Sequence, residues 1–165
     1  MAATDPLVHT ARWRVRHYEC DPNGHVNNAV YLNWAEEVAI QHADAAGFGP
    51  AWTTAQGGAW VIHRQAITYH HPARHGDEVV LTVWVQLVRG VRGTRRTEVR
   101  RGHDDRLLAE VATEWVWVRL SDGRPSAVPA QVVDAARPAT TATLAGRRRG
   151  DRRDRDGVRD RTTPG

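Results

Sequence analysis

The sequence predicts an α+β domain in which one long helix is wrapped by an antiparallel β-sheet of about five strands. Three observations predict it. Between 29 and 46 apolar residues recur with a helical period, Val30, Trp34 and Val38 every fourth position, with Tyr31, Ala35, Ala39 and His42 on the adjoining stripe. From residue 60 onward the period changes to two, over four successive runs separated by short Gly- or Asp-containing turns. The chain has 165 residues, 41% hydrophobic and 25% charged, as for one soluble globular domain with enough length for a real core.

Taken in order, residues 11–18 alternate around Trp13, Val15 and His17 and read as a first strand. The stretch 20–28 (CDPNGHVNN) is dense in turn formers and reads as a loop. Asn28 is placed to cap the helix 29–46, and Gly47 to stop it. A loop of small residues follows, from 48 to 58. Strands are expected at 60–69, 78–88, 94–101 and 106–120, the last with Trp115 and Trp117 on one face and Val116, Val118 and Leu120 on the other. Strands apolar on both sides are expected to be covered on both sides. Turns at 90–93 and 102–105 make the last three strands antiparallel neighbours, and 125–137 is expected to hold a short closing helix.

Composition excludes several classes. Cys20 is the only cysteine, so neither a disulfide scaffold nor a zinc ribbon is available. No run of about 18 apolar residues marks a membrane span, and the first ten residues lack an export pattern, so the expected compartment is the cytoplasm. The formal charge is +4, yet residues 147–165 alone hold eight Arg and four Asp, leaving 15 basic against 15 acidic residues in the body. The charge therefore does not describe a nucleic-acid-binding surface. The expected organisation is a single domain over 1–137, ordered from about residue 10, with an Arg-rich disordered tail at 138–165.

The chemistry is concentrated in Asp21-Pro-Asn-Gly-His-Val-Asn-Asn28. Asp21, Asn23 and His25 are three polar groups within five residues, before a helix N-terminus whose backbone N–H groups are unpaired and carry partial positive charge. Such donors hold a carbonyl oxygen and stabilise the oxyanion formed on attack, while a nearby carboxylate takes a proton from water or attacks directly. The same residues also satisfy plain turn and capping chemistry.

The run YECDPNGHVNNAVYLNWAEEVA resembles the signature of hotdog-fold thioesterases of the 4-hydroxybenzoyl-CoA thioesterase-like superfamily. Asp21-x-Asn23-x-His25-Val26-Asn27-Asn28 also resembles the active-site motif of plant fatty acyl-ACP thioesterases. The likeness extends over residues 10–137, through Pro72 to Glu78 and the strand around Trp115. It implies a hotdog fold and hydrolysis of acyl-CoA or acyl-carrier-protein thioesters. It also implies a homodimer or homotetramer with its sites at subunit interfaces. By position, Asp21 matches the catalytic carboxylate, nucleophile or general base according to the member. Asn23 and His25 match the other polar positions, and the N–H of Asn28 matches the donor to the thioester carbonyl. One departure stands out: where the plant-type enzymes carry a further Glu on the following strand, this chain has Thr68 and Pro72. No metal or resident cofactor is implied, CoA or phosphopantetheine entering as part of the substrate.

Arg89, Arg92, Arg95 and Arg96, with Arg100 and Arg101, form a basic hairpin. Guanidinium forks bind phosphate oxygens in pairs, so the hairpin is a candidate site for the phosphates of CoA or for an acidic carrier protein. Charges also blunt an edge strand. His70, His71 and His75 have no metal-ligand spacing, and the tryptophans are assigned to packing, with Trp52 the one candidate for an acyl pocket wall. Two rivals share the fold. Hotdog hydratases and dehydratases carry D-x-N-x-x-H, one residue longer than the D-x-N-x-H found here. A non-catalytic acyl-CoA-binding module would use the tail as a nucleic-acid arm, against which stand its four Asp residues.

Overall fold

The helical stripe read from the sequence folds as α1 (Asn28–Ala45), which buries Tyr31, Trp34, Ala35, Val38, Ala39 and His42. In the computed structural model, which describes residues 7–142, α1 lies across an antiparallel sheet. The strands are β1 (Val8–Arg14), β2 (Gly58–Tyr69), β3 (Glu78–Arg89), β4 (Arg92–Arg101) and β5 (Leu107–Arg119), in the order β1-β3-β4-β5-β2. The long helix leaves the β1 edge and the chain re-enters the sheet at the opposite edge, so β1 and β2 bound a sheet whose middle is two hairpins. The β3–β4 hairpin turns on two residues, Gly90 and Val91, between paired Arg89 and Arg92. Gly90 takes φ +62°, a conformation open to glycine at little cost.

Alternation along the strands decides the core. Val79, Leu81, Val83, Val99 and Val111 are all 0% exposed and face α1. Burial of each such side chain contributes about 1.5–3 kcal/mol relative to leaving it in water. A second cluster around Val88, Trp117, Val128 and Ala136 lies at the far end, with Trp52 and Trp60 packed on it. It is roofed by α2 (Pro50–Ala55) and α3 (Ala130–Ala135).

Five expectations change. The cap of α1 is Asn27, whose Oδ1 accepts from the Ala29 N–H at 2.9 Å, and Asn28 is the first helical residue. The first strand ends at Arg14, because residues His17–Glu19 turn as a 3-10 helix tied by the Arg16 N–H to Glu19. The small-residue loop contains α2, started by Pro50 at its first position. The described helices all pack on one face of the sheet, so the opposite face of β5 is not roofed. There Val116 and Val118 are half-buried between charged neighbours such as the Arg92–Glu114 pair. Residues 137–142 are helical, and Thr140 ties them to the sheet by accepting the Val88 N–H at 3.0 Å. The remainder of the expected tail, 143–165, lies outside the described residues.

Candidate active site

The loop before α1 is built by its own aspartate. Asp21 Oδ1 accepts the backbone N–H of Asn23 at 2.9 Å and of His25 at 3.3 Å. The backbone closes around it: the Asp21 N–H donates to the His25 carbonyl (2.8 Å), and the Gly24 N–H donates to the Asp21 carbonyl (3.0 Å). Gly24 sits at φ +75°, the left-handed value this reversal requires. The turn chemistry and the candidate chemistry are therefore the same residues. The carboxylate folds its own loop with one oxygen, and no donor among the described residues reaches Oδ2.

Two further strands of hydrogen bonding pin this loop. The Val26 N–H donates to the Ala73 carbonyl and the Asn27 N–H to the Glu19 carbonyl, both at 2.9 Å. A Cys20–Val26 bridge joins the two ends of the loop, which brings Asp21 back towards the start of α1. Glu19 is held in turn by the indole N–H of Trp34 at 2.9 Å. The structure thus gathers Asp21, Asn23, His25 and Asn28 in one loop and helix start. Asp21 and His25 are half-buried, while Asn23 and Asn28 are exposed. The Asn28 N–H has no acceptor among the described residues and stands in the first turn, where the helix dipole favours negative charge.

The sequence reading passes over Tyr69. Its hydroxyl donates to the Asn28 carbonyl at 2.8 Å, fixing the end of β2 against the helix start. The ring packs edge-on against Tyr31, with centroids 5.5 Å apart. Desolvation raises the Tyr69 hydroxyl above its ordinary value, so it remains a neutral donor. A Tyr at a strand end gives no pattern in sequence; only the register places it. Arg14, Arg16, His17 and His75 were also not singled out together, and they line one groove beside Trp34.

The basic hairpin divides. Arg89, Arg92 and Arg96 share the sheet face away from α1, with Arg92 held by Glu114 at 2.6 Å. Arg95 points to the other face, under α1, and Arg101 reaches Asp77 at 3.4 Å and the Pro72 carbonyl at 3.0 Å. The alternation of a strand makes this division unavoidable. His70 pairs with Glu110 at 2.9 Å, and among the described residues no group of three His, Cys, Asp or Glu is arranged to hold a metal ion. Trp52 stacks edge-on with Phe48 and tilts against Trp117, which makes it a packing residue.

Comparison with known proteins bears on the family and the fold. The family model described as Thioesterase-like superfamily matches residues 15–136. The chain is similar to acyl-acyl carrier protein thioesterase ATL2, chloroplastic, of Arabidopsis thaliana: 28% identical over 124 residues, 75% of this chain but 65% of the plant protein. It is 26% identical over 122 residues to the long-chain acyl-CoA thioesterase FadM of Escherichia coli (strain K12), covering 72% of this chain and 89% of that one. Among solved structures, a 1,4-dihydroxy-2-naphthoyl-CoA thioesterase from Synechocystis superposes with a TM-score of 0.70 at 18% identity, over 81% of this chain and 96% of that one. The fold is the hotdog arrangement expected from the sequence.

Proposed function

The chain belongs to the thioesterase-like superfamily, and on that premise we propose that it hydrolyses acyl thioesters of CoA or acyl carrier protein to the free acid and the thiol. The observation that carries the reading is the loop of Asp21, a carboxylate with one oxygen anchored by two N–H groups and the other free, beside an unpaired N–H at the start of α1.

The thioester carbonyl oxygen accepts the Asn28 N–H, where the developing oxyanion also meets the positive end of the helix. Asp21 takes a proton from water through its free oxygen, and the resulting hydroxide attacks the carbonyl carbon. Collapse of the tetrahedral intermediate breaks the C–S bond and expels the thiolate, which takes up a proton. Direct attack by the free oxygen, giving an anhydride that water then cleaves, is the other route this carboxylate allows. His25 and Asn23 orient water and substrate from the same turn. No resident metal or cofactor is required, since CoA or phosphopantetheine arrives with the substrate. The phosphates of that arm are assigned to Arg89, Arg92 and Arg96, which share one face. The assembly is a homodimer or a multiple of it, and the compartment is the cytoplasm, consistent with a single free cysteine.

The deciding experiment uses Asp21→Asn, which keeps an acceptor oxygen for the loop N–H groups but cannot take a proton. Thiol release from a panel of acyl-CoAs and acyl carrier proteins is expected to fall at least about 100-fold, the scale of a lost acid–base group, with the melting temperature nearly unchanged. A folded variant with close to full turnover would remove Asp21 from the chemistry.

A further inference from the structure

Arg95 is the hairpin arginine whose charge the fold leaves least compensated. It lies on β4 between buried Gly93 and Thr97 and points beneath α1. One guanidinium nitrogen donates to the Ala39 carbonyl at 2.5 Å. A guanidinium has five N–H donors, and among the described residues no carboxylate stands within ion-pair distance of this one. Burial pulls its pKa down to about 10. Ala39 is more than a turn before the end of α1, so the helix dipole offers little compensation. A half-buried charge without a counter-charge is costly, and it is retained here.

The same side chain forms part of the wall of a cavity of about 340 Å³ between α1, α2 and the β3–β4 hairpin. Ile40, Phe48, Trp60 and Val85 make most of that wall apolar. Trp115 is also on it. In register, Trp115 pairs with Gly93 and Thr113 pairs with Arg95, so Trp115 and Arg95 are diagonal neighbours on one sheet face. The Trp115 indole N–H is buried and has no acceptor among the described residues. Two under-used donors thus stand side by side on the wall of a mostly apolar cavity, whose other polar lining is Glu36, His42, Thr53, Thr54 and Thr94. Glu36 is also on the wall but is exposed and forms no ion pair with Arg95.

A purely aliphatic chain would fill the cavity and leave both donors dry. We propose that the cavity receives the far end of an acyl group bearing a carboxylate, with the Arg95 guanidinium and the Trp115 indole as the groups that select it. The inference rests on the thioesterase reading, which it deepens by naming the substrate class. Ala39 lies eleven residues beyond Asn28 along α1, about 16 Å, so the acyl group that serves both places has roughly a dozen carbons.

The test compares kcat/KM for dodecanoyl-CoA and its ω-carboxy counterpart on the wild type, Arg95→Met and Trp115→Phe. The wild type is expected to favour the ω-carboxy thioester at least about tenfold, the scale of a hydrogen bond to a charged group. Arg95→Met is expected to collapse that ratio, and Trp115→Phe, which removes the N–H together with part of the ring, to reduce it severalfold even where the Met variant folds poorly. A wild-type preference for the methyl-ended chain, or a ratio that neither variant moves, overturns the proposal. Direct binding of decanoate against decanol, followed by tryptophan fluorescence, separates the two readings. If no thioester is cleaved, the thioesterase reading fails, and Arg95-dependent decanoate binding still supports the pocket. Absent decanoate binding, or decanoate displaced by CoA itself, overturns it, the latter by assigning the donors to phosphate.

Discussion

Tyr31 joins three parts of the molecule through one residue. It is 2% exposed, packs on Trp34 and Tyr69, and its oxygen accepts the buried Ala73 N–H at 3.0 Å. Ala73 in turn accepts from Val26, so the candidate loop, the helix and the segment after β2 share this hydroxyl. Burial raises the Tyr31 pKa, outweighing the Ala73 hydrogen bond, which lowers it. Below the ordinary value of 10.0 both folded and unfolded chains keep the proton, and stability is unaffected. Above it the unfolded chain ionises first, so stability falls as pH rises through that range. In Tyr31→Phe the alkaline fall is expected to be shallower, while at pH 8 the variant is less stable by about 1–3 kcal/mol because the Ala73 N–H loses its acceptor. Denaturant unfolding at pH 8 and pH 10.5 checks both, and an unchanged alkaline slope would rule out Tyr31 as its source. Asp21, Asn23, His25 and Asn28 were legible as a group because they sit within one local run whose spacing a reader can see. Tyr69, Arg95 and Trp115 were not, since their meaning comes from strand register and from which face each residue takes.

At the scale of elements, α1 depends on how it starts. Its first N–H groups have no helical partner, and Asn27 satisfies one of them from the side chain. Asn27→Ala is expected to cost about 1 kcal/mol, within the range measured for lost caps, and to lower the melting temperature by a few degrees. Because the proposed oxyanion donor is the next N–H, frayed ends should also reduce kcat more than they raise KM. A variant that melts earlier but keeps full kcat would separate the cap from the site. The helix was readable to within a residue at each end, since a long amphipathic period is a strong signal. The four later strands were legible for the same reason. The short elements were not: α2 is six residues long, and the 3-10 turn at His17–Glu19 interrupts what alternation alone would continue as strand. The cap itself was displaced by one position because two adjacent asparagines have equal claims in sequence, and only the Oδ1 to Ala29 geometry chooses Asn27.

The whole molecule ends in two unequal edges. β1 has seven residues and carries Arg12 and Arg14, a charged and short edge of the kind that resists pairing. β2 has twelve residues, leaves Val61 49% and Tyr69 42% exposed, and pairs with β5 along one side only. A long edge with exposed apolar side chains is a template for another strand, and a second β2 related by a two-fold axis would supply one. Two five-stranded sheets would then join into one, with no new element required. Light scattering is therefore expected to give about twice the chain mass of 18.4 kDa, and a mass near 18.4 kDa would overturn this assembly. The arrangement also bears on catalysis. Tyr69 ends β2 and holds the Asn28 carbonyl, so pairing at this edge would bring the partner's sheet beside the start of α1. Specific activity should then fall on dilution in step with dissociation, as scattering measures it. Activity that stays constant while the mass halves would place a complete site within one chain.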